Sequence, residues 1–127
     1  ATLVKLSFDS ELYDSGSVYD TSNYRFTPGV AGKYFIYART LISAASTSPN
    51  QGRIAIYKNG SMFNYWRWTN TATISDFSMQ ISAFDTANTT DYYEAYIYQS
   101  NTGSSTSFSI NSDTSQVGLF MGYKITT

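Results

Sequence analysis

Residues 53–68 read RIAIYKNGSMFNYWRW, and this stretch decides the fold class. An Asn59-Gly60 pair stands between two runs that are rich in β-branched and aromatic residues. Asn and Gly tolerate the positive φ angles of a two-residue type I′ turn, so the pair predicts a tight hairpin. Its two strands are expected over residues 53–57 and 62–68, and they define an antiparallel sheet.

Similar strand-like runs recur on both sides of this hairpin, at intervals of roughly eight to twelve residues, which is typical of a sandwich or barrel. No long segment has helical periodicity, and no linker or internal repeat divides the chain. With 127 residues, the chain has the length of one domain. We therefore expect a single all-β domain over residues 1–127, a two-sheet antiparallel sandwich. The further strands are expected over residues 3–8, 18–20, 24–26, 33–42, 74–84, 92–98, 108–110 and 117–125.

The composition excludes several classes of function. The 12 Tyr, 8 Phe and 2 Trp residues suit sheets, and there is no Cys or His. A disulfide scaffold, a zinc site built on Cys or His, and a catalytic triad with a His base are therefore excluded. The net charge is −1, and no basic patch can be found, so we predict no nucleic-acid binding. No apolar run approaches the ~20 residues that span a bilayer, so we predict no membrane insertion.

Four segments, in order along the chain, resemble the globular domain of the C1q/TNF family. Residues 26–37 (FTPGVAGKYFIY) resemble the family's Phe-x-x-Pro-x-x-Gly segment that enters an aromatic strand. Residues 54–60 (IAIYKNG) are similar to its strand that ends in a Lys-Asn-Gly hairpin. Residues 78–97 resemble two strands joined at an acidic turn, and residues 120–125 (FMGYKI) resemble the closing strand.

The resemblance implies a jelly roll of about ten strands in two five-stranded sheets, and a homotrimer packed around an axis along one sheet. Family members are binding heads in complement, in cytokine-like ligands, and on bacterial surface and phage fibre proteins. The Cys-free composition, rich in Ser, Thr, Asn and Tyr, looks more like the microbial or viral members. We therefore expect a phage or viral structural protein, at the virion surface or outside the cell, that binds a receptor or glycan. The chain starts on a strand-like segment without a signal peptide, as expected for a domain cut from a longer protein.

Several predicted strands carry apolar residues on both faces, so they need a second burial surface. In the resembled architecture, strands 53–57, 92–98 and 117–125 belong to the sheet that faces the trimer axis, and Phe35 and Tyr37 lie on the outer sheet. The residues predicted near subunit contacts are Tyr57, Tyr92, Tyr96, Tyr98 and Tyr123. Alternatively, these five tyrosines form cross-strand pairs on the surface of a monomer, each worth ~0.2–1 kcal/mol.

The most unusual stretch is residues 62–68, MFNYWRW. Alternation places Trp66 and Trp68 on one face. It places Phe63, Tyr65 and Arg67 on the other, so one set is core and the other is exposed. An exposed aromatic platform stacks on a sugar, and Arg supplies hydrogen bonds. Alternatively, both faces pack within the protein. The predicted ligand-binding residues are Tyr65, Trp66, Arg67 and Trp68, together with Phe35 and Tyr37.

The carboxylates show no spacing that distinguishes a catalytic pair, and no activated nucleophile or base is present, so we predict no enzymatic activity. Calcium is a possible ligand, because it prefers oxygen donors, and the candidate residues are Asp85, Asp91 and Asp113. No other cofactor is expected. Two functions compete with the binding head: a trimerisation or capping domain of a fibre that binds nothing, and a carbohydrate-binding module of a larger enzyme.

Overall fold

The protein is all-β, as the strand spacing predicts. A computed structural model describes residues 3–8, 17–43, 49–69, 76–101, 109–110 and 118–126, and within them it contains ten strands. No helix in these ranges is long and apolar enough to cross a bilayer. The strands are β1 (Val4–Lys5), β2 (Tyr19–Asp20), β3 (Arg25–Phe26), β4 (Gly32–Ser43), β5 (Pro49–Lys58), β6 (Ser61–Thr69), β7 (Asp76–Ala87), β8 (Tyr93–Asn101), β9 (Ser109–Ile110) and β10 (Leu119–Thr126).

The strands form two antiparallel sheets that pack as a jelly-roll sandwich. The six-stranded sheet has the order β2-β3-β8-β5-β6, with β1 also paired to β8. The four-stranded sheet has the order β10-β4-β7, with β9 also paired to β4. The described strands therefore divide six and four, not five and five.

The position of the closing strand corrects one prediction. Residues 117–125 were expected in the same sheet as residues 53–57 and 92–98. Instead, β10 pairs with β4 from Leu119↔Arg39 onward, in the four-stranded sheet. The reason is that β4 is the long central strand of that sheet, and β10 covers the side that β7 leaves open.

The core lies between the two sheets, and strand alternation selects its residues. On β4, the buried side chains are those of Tyr34, Ile36, Ala38, Thr40 and Ile42. They face buried residues of β5 and β8, such as Ile54 and Ile97. Fully burying an aliphatic side chain of this size stabilises by ~1.5–3 kcal/mol, so this layer is the main stabilising element of the sandwich.

The hairpin between β5 and β6 forms at the predicted residues. Asn59 and Gly60 have φ angles of 51° and 80°, the left-handed values that a type I′ turn needs. The Asn59 side chain also ties the turn to the start of β8, because its Oδ1 accepts the Tyr92 N–H at 3.0 Å. Further along the hairpin a β-bulge lies between Ile56 and Tyr57, and it shifts the register by one residue.

Candidate functional site

An aromatic face covers the outer side of the four-stranded sheet. Phe35 on β4 lies opposite Phe84 of β7 and Tyr123 of β10, with ring centroids 5.2 and 5.3 Å apart. Tyr37 stacks on Phe35 at 6.5 Å, and Met121 lies opposite Tyr37. Phe84 is 71% exposed and Tyr123 is 51% exposed. These five residues, the aromatic face, form a contiguous apolar surface that no other described residue covers.

This face regroups residues that the sequence analysis separated. Tyr123 was placed with Tyr57, Tyr92, Tyr96 and Tyr98. Of those four, Tyr57, Tyr96 and Tyr98 lie on strands of the six-stranded sheet, and Tyr92 directly precedes β8 of that sheet. Phe35 and Tyr37 were expected on a different sheet from Tyr123, yet Tyr123 pairs directly with Phe35, and Tyr37 lies two residues further along the same strand.

The predicted ligand-binding strand is β6, which forms an edge of the six-stranded sheet. Trp68 turns towards the interior and packs against Phe77 of β7, with ring centroids 4.6 Å apart. Trp66 points to the same side but is 46% exposed. Tyr65 and Arg67 point to the opposite, outer side, where they are exposed. Of the four predicted ligand-binding residues on this strand, Trp68 packs within the protein and the other three are exposed.

A groove of about 350 Å³ separates the edge strands β6 and β7. Across it, the Asn64 Nδ2 donates to the Ser82 carbonyl at 3.2 Å and so caps an edge group of β7. Two predicted site regions, Tyr37 and the Tyr65-Trp66 pair, meet at this groove. It contains no charged side chain; its lining residues are Tyr37, Asn64, Tyr65, Trp66, Gln80, Ile81 and Ser82.

The outer face of the six-stranded sheet carries tyrosine and arginine. Tyr57 and Tyr96 stack with centroids 4.2 Å apart over the fully buried Ala55. Burial, and next the charge of Glu94, raise the pKa of Tyr96, so its hydroxyl stays neutral. Arg53 lies between two rings, with its Cζ 5.0 Å from the Tyr65 centroid and 5.6 Å from that of Tyr98.

A buried carboxylate anchors the far side of this face. Glu94 is buried, and it pairs with Lys5 of β1 and with Arg25 of β3, whose Nη2 lies 3.1 Å from Oε1. Arg25 also lies over the Tyr92 ring, 4.1 Å from its centroid. These contacts hold the short strands β1 and β3 against β8, which is a structural role.

Two of the predicted calcium ligands, Asp85 and Asp91, lie in an ionic cluster with Lys58. Lys58 Nζ is 2.6 Å from Asp85 Oδ2 and 3.2 Å from Asp91 Oδ2, and the Tyr93 hydroxyl donates to the same Asp85 oxygen at 2.6 Å. The Lys58 ammonium pairs with both carboxylates but carries only one positive charge, and calcium binding at Asp85 and Asp91 stays a prediction. Asp113 lies outside the described residues. Among those described, no three His, Cys, Asp or Glu side chains converge as a metal requires.

Hydrogen bonds to Asp91 make the stability of this cluster depend on pH. Donation from Asn59 Nδ2 at 2.8 Å, next from the Asn88 N–H at 2.9 Å, and the nearby Lys58 lower the pKa of Asp91 to about 2 from its ordinary value of 3.8. Because the folded-state pKa is the lower one, the stabilisation is present above pH 3.8 and is lost as the pH falls towards 2. Lys58 behaves oppositely: Asp85 raises its pKa, so its contribution persists below 10.5 and is lost only at higher pH.

We therefore predict that Asp91→Asn destabilises the protein at pH 7 and much less at pH 2. In the variant, the ionised acceptor of these hydrogen bonds is replaced by a neutral amide at every pH. Urea unfolding of both proteins at the two pH values measures the difference. If the free energies of unfolding of native protein and variant differ by the same amount at pH 7 and pH 2, the role of the ionised carboxylate is contradicted.

Sequence reasoning missed the Glu94 cluster, and in the other cluster it singled out Asp85 and Asp91 but not Lys58 as their partner. Their members are far apart in the chain, as with Lys5 and Glu94, and each is an ordinary charged residue in a polar context. The only local signal was the Lys58-Asn59-Gly60 turn, which placed Lys58 at the end of a strand.

Comparison with protein-family models finds no match, and no curated protein matches the chain. The C1q resemblance therefore stays a prediction.

Proposed function

We propose that the chain is a homotrimeric, C1q-like binding head of a fibre or surface protein, used for adhesion or receptor recognition outside the cell or on a virion. The observation that supports it is the aromatic face of the four-stranded sheet. Soluble monomers rarely leave a contiguous apolar surface uncovered, and such surfaces mark interaction sites. A ring that is 71% exposed, as Phe84 is, gains most of its burial only from a second molecule.

The subunit offers two unlike apolar surfaces rather than one. Besides the flat aromatic face, the β6 edge exposes Met62, Phe63 and Trp66. Contact between two different surfaces is heterologous, and repeated heterologous contacts close into a ring when the rotation from one subunit to the next divides a full turn. Packing the β6 edge of one subunit on the aromatic face of the next would cover both, and three subunits is the number that the resemblance implies.

This arrangement changes the roles that we propose for the predicted site residues. Phe35, Tyr37, Trp66 and Tyr123 would belong to the subunit contact. Tyr57, Tyr96 and Tyr98, on the other sheet, would stay on the outside of the trimer with Tyr65 and Arg67, where a ligand can reach them.

A carbohydrate-binding module is the second candidate, and the groove between β6 and β7 favours it. An indole, two phenols and two carboxamides around a neutral groove suit an uncharged sugar ring. The two proposals require different oligomeric states, because the groove would be open in a monomer and covered in the trimer.

Analytical ultracentrifugation of the native chain tests the primary proposal. We expect a single species of three subunits at micromolar concentration. A monomer at that concentration would overturn the trimer, and binding of neutral oligosaccharides by that monomer would support the second candidate.

A further inference from the structure

Two arginines lie side by side on the outer face of the six-stranded sheet. Arg53 of β5 is directly opposite Arg67 of β6, and Tyr98 of β8 is opposite Arg53 on its other side. Side chains in such positions have Cβ atoms about 4.5–5.5 Å apart, and like charges there are destabilising. The fold therefore keeps an unfavourable pair on the outer sheet face, between β5 and the edge strand β6.

Among the described residues, no carboxylate neutralises this pair. The ion pairs there join Lys5 and Arg25 to Glu94, and Lys58 to Asp85 and Asp91. Glu94, which shares the outer face, already contacts two cations. The arginine pair thus presents uncompensated positive charge on a protein whose net charge is −1.

The surroundings hold Arg53 in a fixed position. Its guanidinium lies between the rings of Tyr65 and Tyr98, and its Nε is buried without a hydrogen-bond partner. A guanidinium is a planar fork that matches the two oxygens of a carboxylate or sulfate, and a flanking ring reduces the entropy lost on binding. Arg67 is exposed beside it and can supply a second fork.

We propose that Arg53 and Arg67 form a binding site for the anionic group of an acidic saccharide, with Tyr65 and Tyr98 as the walls that contact the sugar ring. An acidic sugar carries its charge on a rigid ring that has an apolar C–H side, which suits a charged pair between two phenol rings. An acidic peptide would have to order a flexible backbone on an open sheet face, which costs more conformational entropy. The inference gives the ligand class of the proposed binding head, and it rests on that proposal for its function but not on the trimer.

Calorimetry with four probes tests it: 3′-sialyllactose, 3′-sulfolactose, lactose and hexaglutamate. We expect at least one acidic sugar to bind ten-fold or more tightly than lactose, and the two acidic sugars distinguish a carboxylate from a sulfate ligand. Binding should weaken as salt rises. Equal affinity for all three sugars would overturn the site, and tighter binding of hexaglutamate would replace the sugar by an acidic peptide.

Arg67→Gln should lower the affinity for the acidic sugar about ten-fold, and Arg67→Lys, which keeps the charge without the fork, should lower it less. Lys33→Gln removes the same charge from an exposed position on the other sheet and should leave affinity unchanged. Because Arg67→Gln also relieves the like-charge pair, its unfolding temperature should be equal to or above that of the native protein. An unchanged affinity in Arg67→Gln would refute the site. Ultracentrifugation of the same samples tests the trimer separately. A monomer that binds an acidic sugar would refute the trimer and would support the saccharide site.

Discussion

Replacing Gly122 with alanine should destabilise the subunit by about 1–3 kcal/mol, although it adds a single methyl group. Gly122 is on β10, and a Cβ at this position would lie 2.4 Å from Cε1 of Phe26 and 2.8 Å from two other ring carbons. The ring has little room to move, because Phe26 is buried and packs against Tyr34 and Tyr93 at 6.0 and 6.2 Å. In a domain whose total stability is ~5–15 kcal/mol, this is a large loss.

Gly118 provides the matched control for this substitution. Among the described residues, a Cβ there would meet Phe8 Cε1 at 3.3 Å and the Arg39 carbonyl at 4.0 Å. Since Gly→Ala also restricts the unfolded chain, which favours folding by ~0.4–1 kcal/mol, Gly118→Ala should be close to neutral. Chemical denaturation of both variants measures the contrast, and equal stabilities would show that Phe26 adapts.

A double-mutant cycle identifies Phe26 as the cause. Phe26→Leu removes part of the ring that the new methyl group would meet, at a cost of its own. The double variant Gly122→Ala/Phe26→Leu should therefore be more stable than the sum of the two single losses implies. Additive losses would place the strain elsewhere on β10.

Local features of this chain could be predicted from its sequence, because their causes lie within a few residues. The Asn59-Gly60 turn needs only two residues that tolerate positive φ, and the structure confirms it. Strand alternation likewise predicts that Phe35 and Tyr37 share one face and Ile36 the other, which the burial pattern confirms. These local rules are sufficient for the all-β class.

Alternation cannot say which sheet a strand joins, and this is why the closing strand was misplaced. Leu119–Thr126 would show the same pattern beside β8 as beside β4, since only long-range pairing distinguishes the two. The composition of the aromatic face depends on that choice, because Tyr123 reaches Phe35 only when β10 pairs with β4. The face was therefore beyond prediction although each of its residues had been singled out or placed on a strand.

The arginine pair could not be predicted, because it depends on a one-residue shift in the pairing of β5 with β6. Lys58↔Ser61 and Tyr57↔Met62 follow from the two-residue turn, and continued unchanged that register would set Arg53 opposite Trp66. The bulge between Ile56 and Tyr57 shifts the pairing, so that Arg53 meets Arg67 and the tryptophans turn inward. A one-residue slip moves every side chain to the other face of a sheet, and the sequence of the hairpin contains no clear signal for this bulge.

Phe84→Ser should dissociate the proposed trimer and leave the subunit folded. In the subunit, Phe84 contacts Phe35 and is otherwise exposed, so the stability of the subunit depends little on the Phe84 side chain. In the trimer, its ring would be buried in a subunit contact, where loss of a central aromatic residue costs about 2 kcal/mol or more. A closed ring has three such contacts, so the variant trimer would lose about 6 kcal/mol, which is on the order of a 10⁴-fold change in its dissociation constant.

Val4→Ser is the control, since Val4 is also an exposed apolar residue but lies on β1 of the other sheet. Ultracentrifugation should show a monomer for Phe84→Ser and an unchanged trimer for Val4→Ser, with similar thermal unfolding of the isolated subunit. Serine already occupies the neighbouring outward position, Ser82, so the substitution introduces no group that the strand does not tolerate. If Phe84→Ser still forms trimers with native affinity, the aromatic face is not the contact. The exposed edge of β6, with Trp66 at its centre, would then be the remaining apolar surface through which the subunits could associate.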